Sequence, residues 1–158
     1  MKKEKYPSNE KTRQILQDNL KSIREILNWT SADLGDLIGV TKQTISNLET
    51  KNSKLTKLHY IAIRTVVDFE IEKLKSTDSD RAKRAEMLLE VLSKAEAENL
   101  DFDEISQASK LIVSSKSAAI AGTIIGALIP FVVNGFNKKN KWQKLYILNI
   151  IKKEKLLF

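Results

Sequence analysis

Between positions 41 and 47 the chain places Thr41, Lys42, Gln43, Thr44 and Asn47 in one short stretch. These side chains are suited to reading base edges: an Asn or Gln amide pairs bidentately with adenine, a Lys donates to guanine, and a Thr methyl contacts thymine. A few residues on, Lys51 and Lys54 are two cations of the kind that neutralise phosphates. No comparable set exists for bond-making chemistry. The chain has no cysteine and one histidine, His59, so it lacks a thiol nucleophile, a thiolate metal site and a His-based cluster. No carboxylate pair or nucleophile–base pair can be assembled, and the G-x-x-x-G run at Gly122 and Gly126 lacks the lysine that a phosphate-binding loop requires. The expectation is a protein without enzymatic activity, without a cofactor and without a metal.

The base-reading residues need a helix to present them, and the flanking sequence supplies one. Thr30 is placed to cap a helix beginning at Ser31, with Asp33 in the first turn where negative charge suits the helix dipole. Leu34, Leu37 and Ile38 are its expected buried face. Gly39 can supply the positive φ that ends it. Val40 then folds under both helices, and Thr41 caps a second helix with Ile45 and Leu48 inward and Lys42, Gln43, Ser46 and Asn47 outward. Two short helices joined by a glycine turn meet the needs of major-groove reading.

At this point the sequence resembles the Xre family, the Cro and phage-repressor type of helix-turn-helix. Leu34, Gly39, Val40, Thr41, Ile45, Ser46, Leu48 and Glu49 fall where that family places such residues, and the resemblance covers about residues 12–70. It implies that Thr41, Lys42, Gln43, Thr44 and Asn47 enter the major groove and that Lys51 and Lys54 approach the phosphate backbone. Ser31 stands where many members carry a phosphate-binding Gln, a departure that leaves one contact open. Gly35 replaces the usual Ala, which still allows close helix packing at a cost of roughly 1 kcal/mol in helix propensity.

The rest of the chain reads as helical throughout. From Ile15 through Leu20, Ile23, Ile26 and Leu27 the apolar residues keep a helical period, which predicts one helix with a buried stripe. No stretch alternates as a strand does. The polar run from Lys75 to Asp80 is a hinge, so residues 1–75 are expected to form a four- or five-helix DNA-binding domain and residues 76–116 a helical connector or dimerisation segment. In that segment Ala85, Leu88, Leu89, Leu92 and Ala95 mark one helix face. Asp101 and Glu104 mark the start of a shorter helix with Ile105, Ala108 and Ile112.

Residues 117–158 differ in kind. They carry seven Lys against one Glu, whereas residues 1–72 carry 12 Lys or Arg against 10 Asp or Glu, so the net charge of +7 is a C-terminal feature. The stretch 118–136, opening on Ala118 and closing on Phe136, has no charge, and as a helix it would span roughly 28 Å, close to a bilayer's hydrocarbon thickness. Beyond it Trp142, Leu145, Tyr146 and Ile150 interleave with lysines in a basic amphipathic tail suited to anionic lipid. A single span from the cytoplasm would export that tail against the positive-inside rule. A membrane-associated segment and the core of a soluble dimerisation domain therefore both remain open.

The fold expectation is all-α. The functional expectation is a cytoplasmic, sequence-specific DNA-binding transcriptional regulator, a repressor acting as a homodimer on double-stranded DNA. The alternative is a membrane-associated or antitoxin-like protein-interaction module.

Overall fold

The computed structural model describes residues 9–98 and 102–133, and among these every regular element is a helix. The order is α1 (Glu10–Asp18), α2 (Leu20–Ile26), α3 (Ser31–Ile38), α4 (Lys42–Glu49), α5 (Lys57–Thr77), α6 (Ser79–Glu98), α7 (Phe102–Ser114) and α8 (Ala118–Val133).

The stripe from Ile15 to Leu27 belongs to two helices, not one. Asn19 interrupts it with φ −111° and ψ 8°, and its side-chain amide donates to the Ile15 carbonyl at 2.8 Å, taking the acceptor that a continuing helix would use. The stripe itself is buried as its period requires: Ile15, Leu16, Leu20, Ile23, Ile26 and Leu27 all lie in the core.

The long helix α5 keeps Tyr60, Ile63, Val67, Ile71 and Leu74 on its inner face. It ends inside the polar run, where Asp78 leaves helical geometry and its carboxylate accepts from the Arg81 amide at 3.1 Å to start α6. The hydrophobic core does not end there. Ile71 and Leu74 form one continuous cluster with Ala82, Ala85, Leu88, Leu92, Ile105 and Ile112, and α6 packs on α1, α2 and α5. A capped corner, with apolar residues on both sides of it, joins the two stretches.

At the N-terminal end of this assembly Thr12 donates to the Glu96 carboxylate, and Asn9 donates to it at 3.1 Å. The first turn of α1 is thus fastened to the far end of α6. At the other end Asp80 accepts from the Ala118 amide at 2.8 Å and from Arg84 at 3.1 Å, while Arg84 donates to the Ser115 carbonyl at 3.0 Å. These bonds cap α8 and set its angle against α6.

Helix α8 lies against α6 and α7, with Ala118 and Ala121 buried, Gly122 facing Met87 and Ile125 packed on the core. Among the described residues no helix is long and apolar enough to cross a membrane. The expected span through Phe136 therefore finds a 16-residue helix whose first turns are committed to packing. Residues 134–136, the basic tail and the Asp101 cap lie outside the described residues.

A fragment ending at Lys75 retains α1 to most of α5 but loses the apolar partners from α6 and α7. It is expected to unfold cooperatively, at a lower temperature than the chain ending at Lys116, since burying each large apolar side chain contributes about 1.5–3 kcal/mol. Thermal unfolding followed by circular dichroism compares the two, and a fragment with no cooperative transition would show that the first five helices need the later ones to fold.

Candidate nucleic-acid interface

The site is built from α3, α4 and the loop that follows. Thr30 begins α3 in extended geometry, and its hydroxyl accepts from the Asp33 amide at 3.1 Å while the Asp33 carboxylate accepts from the Thr30 amide at 2.6 Å. This reciprocal capping box satisfies two backbone donors at once. The Thr30 hydroxyl, and then the Thr30 amide, hold the Asp33 carboxyl below its ordinary value. The cap's stabilising contribution is therefore present above the usual aspartate range and lost as pH falls through the lowered value.

Leu34 is buried, but Leu37 is half exposed, contrary to the expected inner face. In a helix of 3.6 residues per turn Leu34 and Ile38 share one side, and the position beside them is occupied by Gly35. The glycine is buried because α4 crosses there. A Cβ at position 35 would stand 2.7 Å from the Val40 carbonyl oxygen and 3.3 Å from the Thr41 carbonyl carbon, so the turn has no room for the methyl group of alanine. Gly39 supplies the reversal at φ 75°, its amide and that of Val40 both donating to the Gly35 carbonyl.

Helix α4 emerges from this turn capped by Thr41, whose hydroxyl accepts from the Thr44 amide at 3.2 Å and lies 3.0 Å from the Thr44 hydroxyl. Ile45 and Leu48 are fully buried, which fixes the opposite side outward. Lys42 and Gln43 are exposed, and Thr44, Ser46 and Asn47 are partly so. The Gln43 amide donates to the Asn47 carbonyl oxygen at 2.9 Å. That bond uses one donor of Gln43 and one lone pair of Asn47. Gln43 keeps an acceptor and a donor, and Asn47 keeps both amide hydrogens, so the pair remains competent for adenine while its rotamers are held.

Ser31 lies at the first position of α3, partly buried. Lys51 and Lys54 lie on the loop after α4, and both turn to α1: Lys51 pairs with Asp18 at 2.7 Å and Lys54 with Glu10 at 3.9 Å. The structure therefore joins Thr41 to Thr44 and Gln43 to Asn47 on α4, and sets the two lysines against carboxylates rather than beside them.

Two further residues position the site, and sequence reasoning passed over both. Arg24 on α2 forms a two-point pair with Glu49, at 2.7 and 3.2 Å, and donates to the Trp29 carbonyl at 2.8 Å. Glu49 raises the arginine's pKa further, and the arrangement anchors the end of α4 to the first helices. Gln17 donates to the carbonyls of Leu48, at 2.9 Å, and Ser53, at 2.6 Å, and accepts from the Leu55 amide at 3.0 Å, which fixes the loop. Apart from Trp29, these partners lie 25 to 38 positions away and leave no local pattern.

Two short capped helices crossing at a tight glycine turn, the second with a polar outer face, define a helix-turn-helix. Residues 20–72 match the family model described as helix-turn-helix, about a third of the chain. That segment is a helix-turn-helix domain of the Xre/Cro type, and the class is that of DNA-binding transcriptional regulators. No curated protein and no solved structure matches the chain. Among the described residues no group of His, Asp or Glu is placed to hold a metal ion.

Two opposed effects decide the outcome of Gly35→Ala. Helix propensity favours Ala by roughly 1 kcal/mol, but a contact at 2.7 Å with a backbone oxygen forces the turn to open. The net expectation is a loss of about 1–3 kcal/mol, measured as a lowered denaturant midpoint at unchanged slope. An equal or raised midpoint would show that the turn yields freely.

Proposed function

We propose that the protein is a sequence-specific transcriptional repressor that works in the cytoplasm and binds a two-half-site operator as a homodimer. The observation that carries this reading is the outer face of α4, where Thr41, Lys42, Gln43, Thr44 and Asn47 stand on a helix whose inner face is locked by Ile45 and Leu48. In this reading α4 enters the major groove, Gln43 and Asn47 read adenine, and Lys42 reads guanine. The start of α3 at Ser31 lies toward the phosphates, as does Lys54 on the loop after α4, while Lys51 on the same loop is paired with Asp18. A second copy fits this reading, since the two-fold symmetry of a dimer would match a palindromic site and double the base pairs read by an eight-residue helix.

Selection of bound sequences from a random duplex library by the full chain tests the reading directly. The expected product is an inverted repeat with half-sites about one helical turn apart. Failure to enrich any sequence would favour the protein-interaction alternative.

On the selected site, Gln43→Ala and Asn47→Ala are each expected to weaken binding by about 1–3 kcal/mol and to leave binding to random DNA nearly unchanged. Because the two side chains are bonded to each other, the double variant should lose less than the sum. Lys54→Ala should instead weaken binding to every sequence and flatten its salt dependence by about 0.9 in the logarithmic slope. Equal losses on selected and random DNA for Gln43 and Asn47 would show that they do not read bases.

A further inference from the structure

The loop between α4 and α5 presents two lysines, and the fold treats them differently. The Lys54 side chain is 94% exposed and its partner Glu10 81% exposed, at 3.9 Å, a contact that salt and solvent readily dissolve. Lys51, its side chain 64% exposed, lies 2.7 Å from an Asp18 carboxylate that is only 10% exposed. Its backbone stands at φ 62°, a left-handed conformation that a side-chain-bearing residue adopts only when its surroundings hold it. The two lysines, Glu10, Asp18 and Arg13 line a groove of about 330 Å³ between α1 and the loop.

The loop does not depend on the ion pair for its place, because Gln17 already fixes its backbone through three hydrogen bonds. What the pair decides is where the charge of Lys51 is spent. Moving the ammonium from Asp18 to a phosphate exchanges one anion for another, and it leaves a largely buried carboxylate unpaired near the negative DNA backbone. Such a transfer gains little. The matter is not minor, since residues 20–72 carry seven Lys or Arg against seven Asp or Glu, so each cation placed at a phosphate weighs heavily in the segment's affinity.

We infer that Asp18 withholds Lys51 from the DNA backbone and so sets the number of phosphates that the loop neutralises. Asp18 is a positioning residue acting through Lys51, and the inference rests on the DNA-binding reading above. It separates the two loop lysines: Lys54 is available to phosphate, and Lys51 becomes so only when Asp18 is neutral.

The test is binding of the full chain to a labelled random-sequence duplex, followed by fluorescence anisotropy over a series of NaCl concentrations. Asp18→Asn should bind several-fold more tightly at low salt and steepen the logarithmic salt slope by about 0.9, the value for one added phosphate contact. Lys51→Gly, which removes the ammonium and suits the positive φ, should leave the wild-type slope nearly unchanged and should abolish the gain in the Asp18→Asn background. An Asp18→Asn slope equal to wild type in a folded protein overturns the inference, as does a Lys51→Gly slope flattened as much as that of Lys54→Ala. Should Asp18→Asn fail to fold, the Lys51→Gly slope decides alone. If wild type itself does not bind the duplex, the DNA-binding reading fails and this one with it, whereas wild-type binding with unaltered slopes removes only the role of Asp18.

Discussion

The carbonyl oxygen of Gly35 accepts from the amides of both Gly39 and Val40, and this double acceptance draws the chain back across α3 so closely that no side chain fits at position 35. The direction of α4 follows from it. Once the turn is closed, Thr41 has only to cap the next helix for Ile45 and Leu48 to fall into the core and for Lys42 and Gln43 to face outward. The far end of α4 is then held by the Arg24–Glu49 pair, in which each side chain is little more than a tenth exposed. In such a setting the loss of one partner costs more than the pair contributes, because the other is left charged and poorly solvated. The surface assigned to DNA is therefore a rigid one, fixed at its start by sterics and at its end by charge.

Electrostatics contribute less to this surface than the whole-chain charge suggests. Of the net charge of +7, residues beyond 116 supply +6, and the matched segment is neutral. A neutral helix-turn-helix has a weak sequence-independent affinity, since that affinity comes from counterions released by cations at phosphates. In the proposed reading, discrimination then falls to hydrogen bonds at base edges, which gives weight to the preformed Gln43–Asn47 bond. Two amides already held in one arrangement lose little rotamer freedom on binding.

Local features of the sequence carried far. Thr30, Gly39 and Thr41 each announce a helix boundary by residue type, and each boundary lies where those types place it. Capping and glycine turns involve residues within four positions, so short-range physics is enough to find them. Leu37 shows the limit of the same reasoning: the spacing of Leu34, Leu37 and Ile38 puts all three on one stripe, and only the crossing of α4 on the Gly35 side decides that Leu37 is left half exposed. Asn19 shows another, since its side chain can either point to solvent or take the Ile15 carbonyl, and burial against the later helices selects the second. The pairs Arg24–Glu49, Lys51–Asp18 and Thr12–Glu96 join residues 25, 33 and 84 positions apart, and no periodicity encodes them. Polar residues at the end of α5 suggested a hinge for the same reason. They stand at the corner between α5 and α6, and the apolar residues on either side of it share one core.

Helix α1 connects these long-range contacts. Its first turn binds Glu96 at the end of α6 through Thr12 and Asn9, and its last turn holds the loop after α4 through Gln17 and Asp18. It is nine residues long, with Ile15 and Leu16 buried between these two sets of contacts. So short a helix cannot tilt at one end without moving the other, because a rigid rod of about 13 Å transmits displacement along its whole length. The loop lysines therefore take their position from α6 as much as from α4. This explains why a helix-turn-helix that matches its family over residues 20–72 still packs intimately with what lies outside that span: the segment on the N-terminal side supplies the clamp on the loop, and the segment on the C-terminal side supplies the anchor for the clamp.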